Sequence, residues 1–345
     1  MKILSVGWFR STSSTSLHRN KALQKVAKEI DTVELGTKKS NFWFKMAYHL
    51  FQKSIPVSLP DSTHANENIL NYVRKKYYDI VWIDKGIVIN KKTLQAIKKI
   101  SANTKIVSFS PDNMVMRHNQ SQNYLDSLPY YDINFTTKSY IIDDLKKIGA
   151  KNIHFIHKTY GEDFHFPREL SENEIKNFGS DIGFVGMWEK ERCDSILYLV
   201  KKGLYVTVYG DGKWNDFKDK YPNLIIKPGV FSDNYPKVLQ ALTICLCFLR
   251  KINLDQQTAR TMEIPACGGF MLAERTKEHQ ELFEEGVEAE FFSSDEELFK
   301  KCTYYLNHLD ERNKIAKNGR LKCEKAGYSN EATIKRMIEI VQTNG

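Results

Sequence analysis

Short apolar runs alternate with stretches of helical spacing along most of the chain. "KILSVGW" reads as a buried first strand ending at Gly7, and after a polar loop Ala22, Val26 and Ile30 recur at helical spacing in "KALQKVAKEI". The series continues with "YYDIVWIDKG" as strand, "NKKTLQAIKKI" as helix, and "TKIVSFSPDN" as a strand stopped by Pro111. "YYDINFTTKSYIIDDLKKIGAKNIHFIHKTY" then predicts strand, helix and strand. Such alternation predicts a mostly parallel sheet covered by helices on both faces.

A second series of the same form starts at Asp181. "DIGFVGMWEKERCDSILYLVKKG", with Gly186 at its strand end, and "LYVTVYGDGKW", ending at Gly210, are βα patterns. "NLIIKPGV", "YPKVLQAL" and "TICLCFL" add strand, helix and strand, and further helices around one short strand follow. Residues 161–180 are polar and interrupted by Pro167, which puts the domain boundary there. The expected organisation is a doubly wound domain over 1–165, a second over 181–328, and a C-terminal helix over 329–345. Two doubly wound α/β halves of this kind face a central cleft, where nucleotides and small substrates commonly bind.

Charge changes the picture. Residues 1–170 hold 26 Lys/Arg against 15 Asp/Glu, whereas residues 171–345 hold 25 against 27. The first half suits an anionic partner or an anionic lipid surface, and the second must hold any anion through local groups. Residues 40–59, with five aromatics beside Lys45, His49 and Lys53, are expected to pack on their own domain, and to form an amphipathic helix resting on a membrane interface only where the basic face is exposed. No basic tail or zinc-finger spacing points to nucleic acid, so none is expected as a partner. No run is long enough to span a bilayer and no signal pattern opens the chain, making the cytoplasm the expected location, with peripheral contact at the inner membrane face. All six cysteines lie in the second half without a C-x-x-C pair, and Cys245 and Cys247 share a strand face as core residues.

Candidate chemistry gathers in 253–274, "NLDQQTARTMEIPACGGFMLAE". Asp255 and Glu263 stand eight positions apart around Arg260, and Pro265 and the glycine pair end the helical spacing of 258–264. A helix start beside Asp255 to Thr258 suits a polar, anionic ligand, although a cap, a surface ion pair and a turn account for the same residues. Arg10, the Ser/Thr run, His18 and Arg19 follow the first strand, where open α/β sheets place ligands, and Asp112, Asn113, Arg117 and His118 follow a later one. There is no G-x-G-x-x-G. His154 and His157 point to opposite faces and do not suit a shared metal.

The segment from Asp181 to Ser329 resembles the glycosyltransferase-like domain of the spore-coat CgeB/YkvP-type proteins, within the group-1 glycosyltransferases of GT-B architecture. The elements that carry it are "FVGMWEKER", "VYGDG", "NLDQQTARTMEIPACGGFMLAERTKEHQELFEEG", "IAKNGR" and "GYS". The first half is similar more loosely, through "DIVWIDKG", "SFSPDN", "YYDINFTTK", "LKKIGA" and "HFP".

The resemblance implies two Rossmann-like domains facing a central cleft, with the C-terminal helix packing back on the first domain. It also implies a retaining hexosyltransferase-type enzyme that moves a sugar from a nucleotide-diphosphate sugar to a hydroxyl acceptor, in cell-surface glycan or glycolipid synthesis. The donor lies against the second domain and the acceptor, an anionic one included, against the first. In such enzymes two glutamates eight apart contact the donor sugar and the ribose. Here Asp255 stands at the first position, a departure that puts the sugar contact in question, and Glu263 stands at the second. Arg192 matches the family's basic residue near the leaving diphosphate. Lys190, Arg250 and Arg260 are further phosphate candidates, Gly186 permits close backbone approach, and Gln257 and Thr258 lie where helix-start amides meet phosphate. For each basic residue a surface ion pair explains the position nearly as well. Asp112 and His118 are candidates to orient or deprotonate the acceptor. No D-x-D triplet occurs, and no obligatory metal is expected. Two rivals stay open: a non-catalytic glycan-binding or spore/envelope structural protein, and a nucleotide-sugar epimerase or phosphosugar enzyme.

Overall fold

The computed structural model describes residues 1–12, 14–36 and 42–343. Ser13 of the Ser/Thr run, and Ser40 and Asn41 of the aromatic segment, lie outside them. The chain divides into two units, Met1–His157 with Asn330–Gly345, and Lys158–Ser329.

In the first unit, the strands are β1 (Lys2–Gly7), β2 (Glu29–Glu34), β3 (Ile80–Asp84), β4 (Lys105–Ser110), β5 (Ile133–Thr136) and β6 (Ile153–Phe155). They pair in parallel in the order β2-β1-β3-β4-β5-β6. The helices between them are α1 (Thr15–Val26), α2 (Phe42–Gln52), α3 (Ala65–Lys75), α4 (Lys91–Ile100), α5 (Gln122–Ser127) and α6 (Ile142–Lys147). β3 is buried throughout, as a central parallel strand should be.

The second unit opens with α7 (Glu172–Phe178), and its strands are β7 (Ser180–Val185), β8 (Val206–Tyr209), β9 (Leu224–Lys227), β10 (Leu242–Cys247), β11 (Met271–Glu274) and β12 (Glu290–Phe292). These too pair in parallel, in the order β12-β11-β10-β7-β8-β9. Helices α8 (Lys190–Lys201), α9 (Asn234–Ala241), α10 (Ala259–Ala266), α11 (Lys277–Leu282), α12 (Asp295–Asn307) and α13 (Leu309–Lys325) complete it. All six cysteines are free and buried, Cys245 and Cys247 within the core of this unit.

The chain returns to the first unit as α14 (Asn330–Thr343), which packs on α1 as expected of the C-terminal helix. Its Ile334, Met337, Ile338 and Val341 join Ile3, Ala22 and Leu23 in one apolar cluster.

Three local readings need correction. The first helix starts at Thr15, capped by Ser14, whose Oγ accepts from Leu17 N–H, so His18 and Arg19 lie on a helix and are buried. The helical spacing read through Ile30 crosses into β2, an edge strand with only Val33 buried, and so without a readable alternation. The polar stretch 161–180 contains α7, whose Ser171 and Glu174 form a capping box.

Arg19 is a buried ion beside the end of β3. Its Nε and Nη2 donate to the two Asp84 oxygens at 2.6 and 3.0 Å, and its guanidinium lies 4.2 Å from the Phe109 ring centre. Both side chains are over nine-tenths buried, so removing one leaves the other charged without solvent. Asp84→Ala is expected to cost about 3–5 kcal/mol, read as a lower denaturant midpoint of the first unit. An unchanged midpoint would show that Arg19 finds other partners.

Candidate functional site

The sheet of the second unit reverses direction between β7 and β10: β8 and β9 continue from one side, β11 and β12 from the other. In open α/β sheets, the crevice outside the carboxyl ends of two such strands is the usual ligand site. Gly186, Lys190 and Arg192 follow β7, and Arg250, Asp255, Gln257, Thr258, Arg260 and Glu263 follow β10. The topology thus brings the two candidate groups to one end of one sheet.

Gly186 is where the loops converge. Its N–H donates to the Tyr209 carbonyl at 3.0 Å, and its carbonyl accepts from Trp214 Nε1 at 2.9 Å. A Cβ here would stand 2.7 Å from the Phe184 ring and 3.2 Å from Arg260 Nη2, so a side chain would press on the guanidinium as well as the ring.

Arg192 is 5% exposed and stitches the two loops together. Its Nε donates to the Leu249 carbonyl at 3.3 Å and its Nη1 to the Met187 carbonyl at 3.1 Å. Burial pulls its pKa below the ordinary arginine value; Glu189 opposes that, while Arg260 and Arg250 add to it. Three arginines therefore share one field. Glu189 also lies 3.0 Å from Arg250 Nε. Arg260 Nε is buried without a hydrogen-bond partner, and such an orphaned donor beside two other cations is what an anion would satisfy. Lys190 is mostly exposed and pairs with Asp194 one turn along α8.

After β10, a 3-10 turn, Lys251–Asn253, ends at Leu254 with φ 53°, and the Asp255 N–H returns to the Arg250 carbonyl at 3.2 Å. Glu274 holds this turn from β11 by accepting from Leu249 N–H at 2.9 Å and pairing with Lys251. Gln257 was singled out for its backbone amide, and its side chain is engaged within the protein. It is fully buried, with Oε1 accepting from Lys158 N–H and Nε2 donating to Glu278. It braces the helix start. Thr258 N–H donates to Thr261 Oγ1, which donates to His279 Nε2 at 2.8 Å, because His279 Nδ1–H is directed at the Glu274 carbonyl at 2.6 Å. Pro265 sits within the last turn of α10, and Gly268, at φ +81°, takes the left-handed conformation that ends it.

Glu263, 7% exposed, is held by two side chains that the sequence did not single out as site residues. Tyr235 Oη donates to its Oε2 at 2.5 Å, and His165 Nε2 lies 3.6 Å from its Oε1. His165 Nδ1 accepts from Gly161 N–H at 3.0 Å, which leaves the ring proton on Nε2, facing the carboxylate. Burial raises the Tyr235 pKa and lowers that of His165, keeping both neutral. His165 belongs to the "HFP" element; Tyr235 stands in an ordinary helix pattern and carries no comparable signal.

In the first unit, Asp112 follows β4 and pairs with Lys85 Nζ at 2.5 Å. His118 lies on the 3-10 turn Arg117–Asn119, with Asn119 Nδ2 at 3.3 Å from its Nε2. Among the described residues, no group of three or more His, Cys, Asp or Glu is placed to hold a metal ion. No helix among them is long and apolar enough to cross a membrane.

Residues 194–339 match a family model described as glycosyl transferase-like. No curated protein matches the chain. The structure of Anabaena HepE in complex with UDP is similar at a TM-score of 0.65 and 14% identity, covering 99% of this chain and 100% of that one. An α-glucosyltransferase in complex with UDP and a 13-mer DNA containing an HMU base gives 0.67 at 12% identity, covering 99% of each chain. A putative UDP-N-acetylglucosamine 2-epimerase from Listeria monocytogenes gives 0.53 at 12% identity, covering 98% of this chain and 94% of that one. At these identities the likeness establishes the fold: two Rossmann-like domains of the GT-B class, as expected. The family match is to glycosyl transferase-like domains in general and does not single out the CgeB/YkvP-type proteins.

The exclusion of nucleic acid is overturned. α-Glucosyltransferase structures of this fold hold DNA. A fold-borne surface needs neither a basic tail nor zinc-finger spacing.

The buried imidazoles make stability depend on pH. Burial lowers the pKa of both His165 and His279 below the ordinary 6.5, so the unfolded chain takes up protons that the folded chain refuses. Stability is complete above 6.5 and is lost as pH falls from there towards the lowered folded values. Denaturation midpoints at about pH 7.5 and about pH 5.5 should show this fall, and His279→Gln should flatten it. A wild-type midpoint that holds at the lower pH contradicts the assignment.

Proposed function

We propose that the protein is a glycosyltransferase that takes its sugar from a nucleotide-diphosphate donor bound at the β7/β10 crevice. The observation that carries this reading is the group formed there by Arg192, Arg250 and Arg260, with Arg260 Nε unpartnered beside Gly186. A departing nucleoside diphosphate gains charge in the transition state, and fixed guanidinium groups lower that barrier because they need no reorganisation. Arg192 keeps the loops in place and contributes its field, while Arg250 and Arg260 make the direct phosphate contacts. Lys190 belongs to the outer edge of that field. The backbone at Gln257 and Thr258 and the start of α10 supply amide dipoles.

Glu263 accepts the ribose hydroxyls and Asp255 faces the donor sugar. Tyr235 and His165 keep the Glu263 carboxylate in one orientation. In the first unit, Asp112 and His118 are the candidates to hold the acceptor hydroxyl of a glycan, glycolipid or nucleic acid. Uridine is the base to test first, since the HepE and α-glucosyltransferase structures hold UDP or UDP-glucose. The transfer is retaining and needs no obligatory metal. A second reading, a nucleotide-sugar epimerase, draws on the fold likeness to the Listeria protein.

Calorimetric titration with uridine, guanosine, cytidine and thymidine diphosphate sugars tests the donor site, and binding of none of them overturns the reading. Glu263→Ala and Arg260→Ala should each weaken nucleotide binding by roughly 10- to 100-fold, the range for losing a charge-assisted contact. Unchanged affinity removes that residue from the site. Conversion of the donor without added acceptor would favour the epimerase.

A further inference from the structure

Helix α2 is apolar on both faces. Phe44, Ala47, Leu50 and Phe51 are turned inward, with Phe51 buried. Phe42, Trp43 and Met46 are turned outward at 72%, 66% and 40% exposure, and the Phe42 and Trp43 rings meet edge to face at 5.7 Å. Lys45, His49 and Lys53 are exposed along the same outer side. A patch of large exposed apolar side chains rimmed by polar ones marks an interaction site, and the outer face of α2 presents one.

We propose that this face is an interfacial anchor that docks on an anionic lipid bilayer. Aromatic and thioether side chains among lysines suit the headgroup boundary, where the apolar parts enter the acyl region and the ammonium groups meet lipid phosphates. Charge selects this occupant over a second copy of the chain. Residues 1–170 carry an excess of eleven positive charges, so two such faces repel each other while a negative membrane attracts both.

The anchor also has a neighbour of consequence: α2 packs against the 3-10 turn Arg117–Asn119, which carries the acceptor candidate His118. Docking through α2 therefore brings that turn to the headgroup plane, where an acceptor held on a lipid is presented. The anchor goes beyond the donor reading and stands without it, since UDP titration tests the donor site with no membrane present.

The full chain is sedimented with vesicles of phosphatidylcholine alone and of phosphatidylcholine with phosphatidylglycerol. The anchor requires at least about tenfold stronger partitioning to the anionic vesicles, screened by salt. The pairs Phe42→Ser with Trp43→Ser, and Lys45→Glu with Lys53→Glu, should each lower it about tenfold while leaving the denaturation midpoint unchanged. These side chains are exposed, so folding should survive, and the midpoint checks that it does. Equal binding by the variants, or no binding to either vesicle, overturns the proposal. A concentration-dependent dimer lost in the same variants overturns it in favour of self-association. Loss of oligonucleotide binding with vesicle binding intact overturns it in favour of nucleic acid.

Discussion

The second unit depends on keeping one charge where water scarcely reaches. Arg192 is almost wholly buried, and its guanidinium is tolerable there because the Leu249 and Met187 carbonyls and the Glu189 carboxylate replace its hydration. Leu249 belongs to the loop after β10 and Met187 to the loop after β7. The same hydrogen bonds that solvate the ion therefore fix the spacing of the two loops that bound the crevice. Glu274 secures the β10 loop from the far side through Leu249 N–H and Lys251.

That arrangement separates local field from net charge. Residues 171–345 carry 25 basic and 27 acidic residues, yet three arginines at the crevice act on one another. Their partial compensation by Glu189 matters as much as their number: one carboxylate shared between Arg192 and Arg250 leaves the group cationic without making it prohibitively repulsive. The acidic excess is spent elsewhere, for example where Glu285 and Glu297 hold Arg275 and where Lys301 joins them. Those carboxylates are held below their ordinary range by the basic groups they touch, and the pairing tightens β12 and α12 against β11.

Much of the fold was legible because fully buried parallel strands leave uninterrupted apolar runs, as "IVWI" in β3 and "ICLC" in β10 do. β2 was not, because an edge strand with one buried residue carries no period. α7 was hidden by its polarity; it is exposed and stabilised by its capping box. At the site, the spacing of Asp255, Arg260 and Glu263 was legible along one helix start. The contacts of Tyr235 and His165 with Glu263 were not, because they join residues 28 and 98 positions from it. Gln257 shows the same limit: nothing in the sequence around it tells that its side chain is fully buried and braces the helix start through Lys158 N–H and Glu278.

The nucleic-acid correction follows from the same distinction between what a chain carries and where a fold places it. Composition tests such as a basic tail or a metal-finger spacing detect modules that bring their own binding surface. They say nothing of a Rossmann-like scaffold whose acceptor surface is assembled from loops distant in sequence. In the first unit, Lys85 with Asp112 joins the loops after β3 and β4, and Arg19 of α1 with Asp84 joins a helix to the end of β3, so both bring together charges distant in sequence. The first of these pairs is partly open to solvent and the second is sealed. The open pair can exchange its partner for a ligand without stranding a buried ion, so a ligand contact is better sought at Asp112 than at the sealed Asp84.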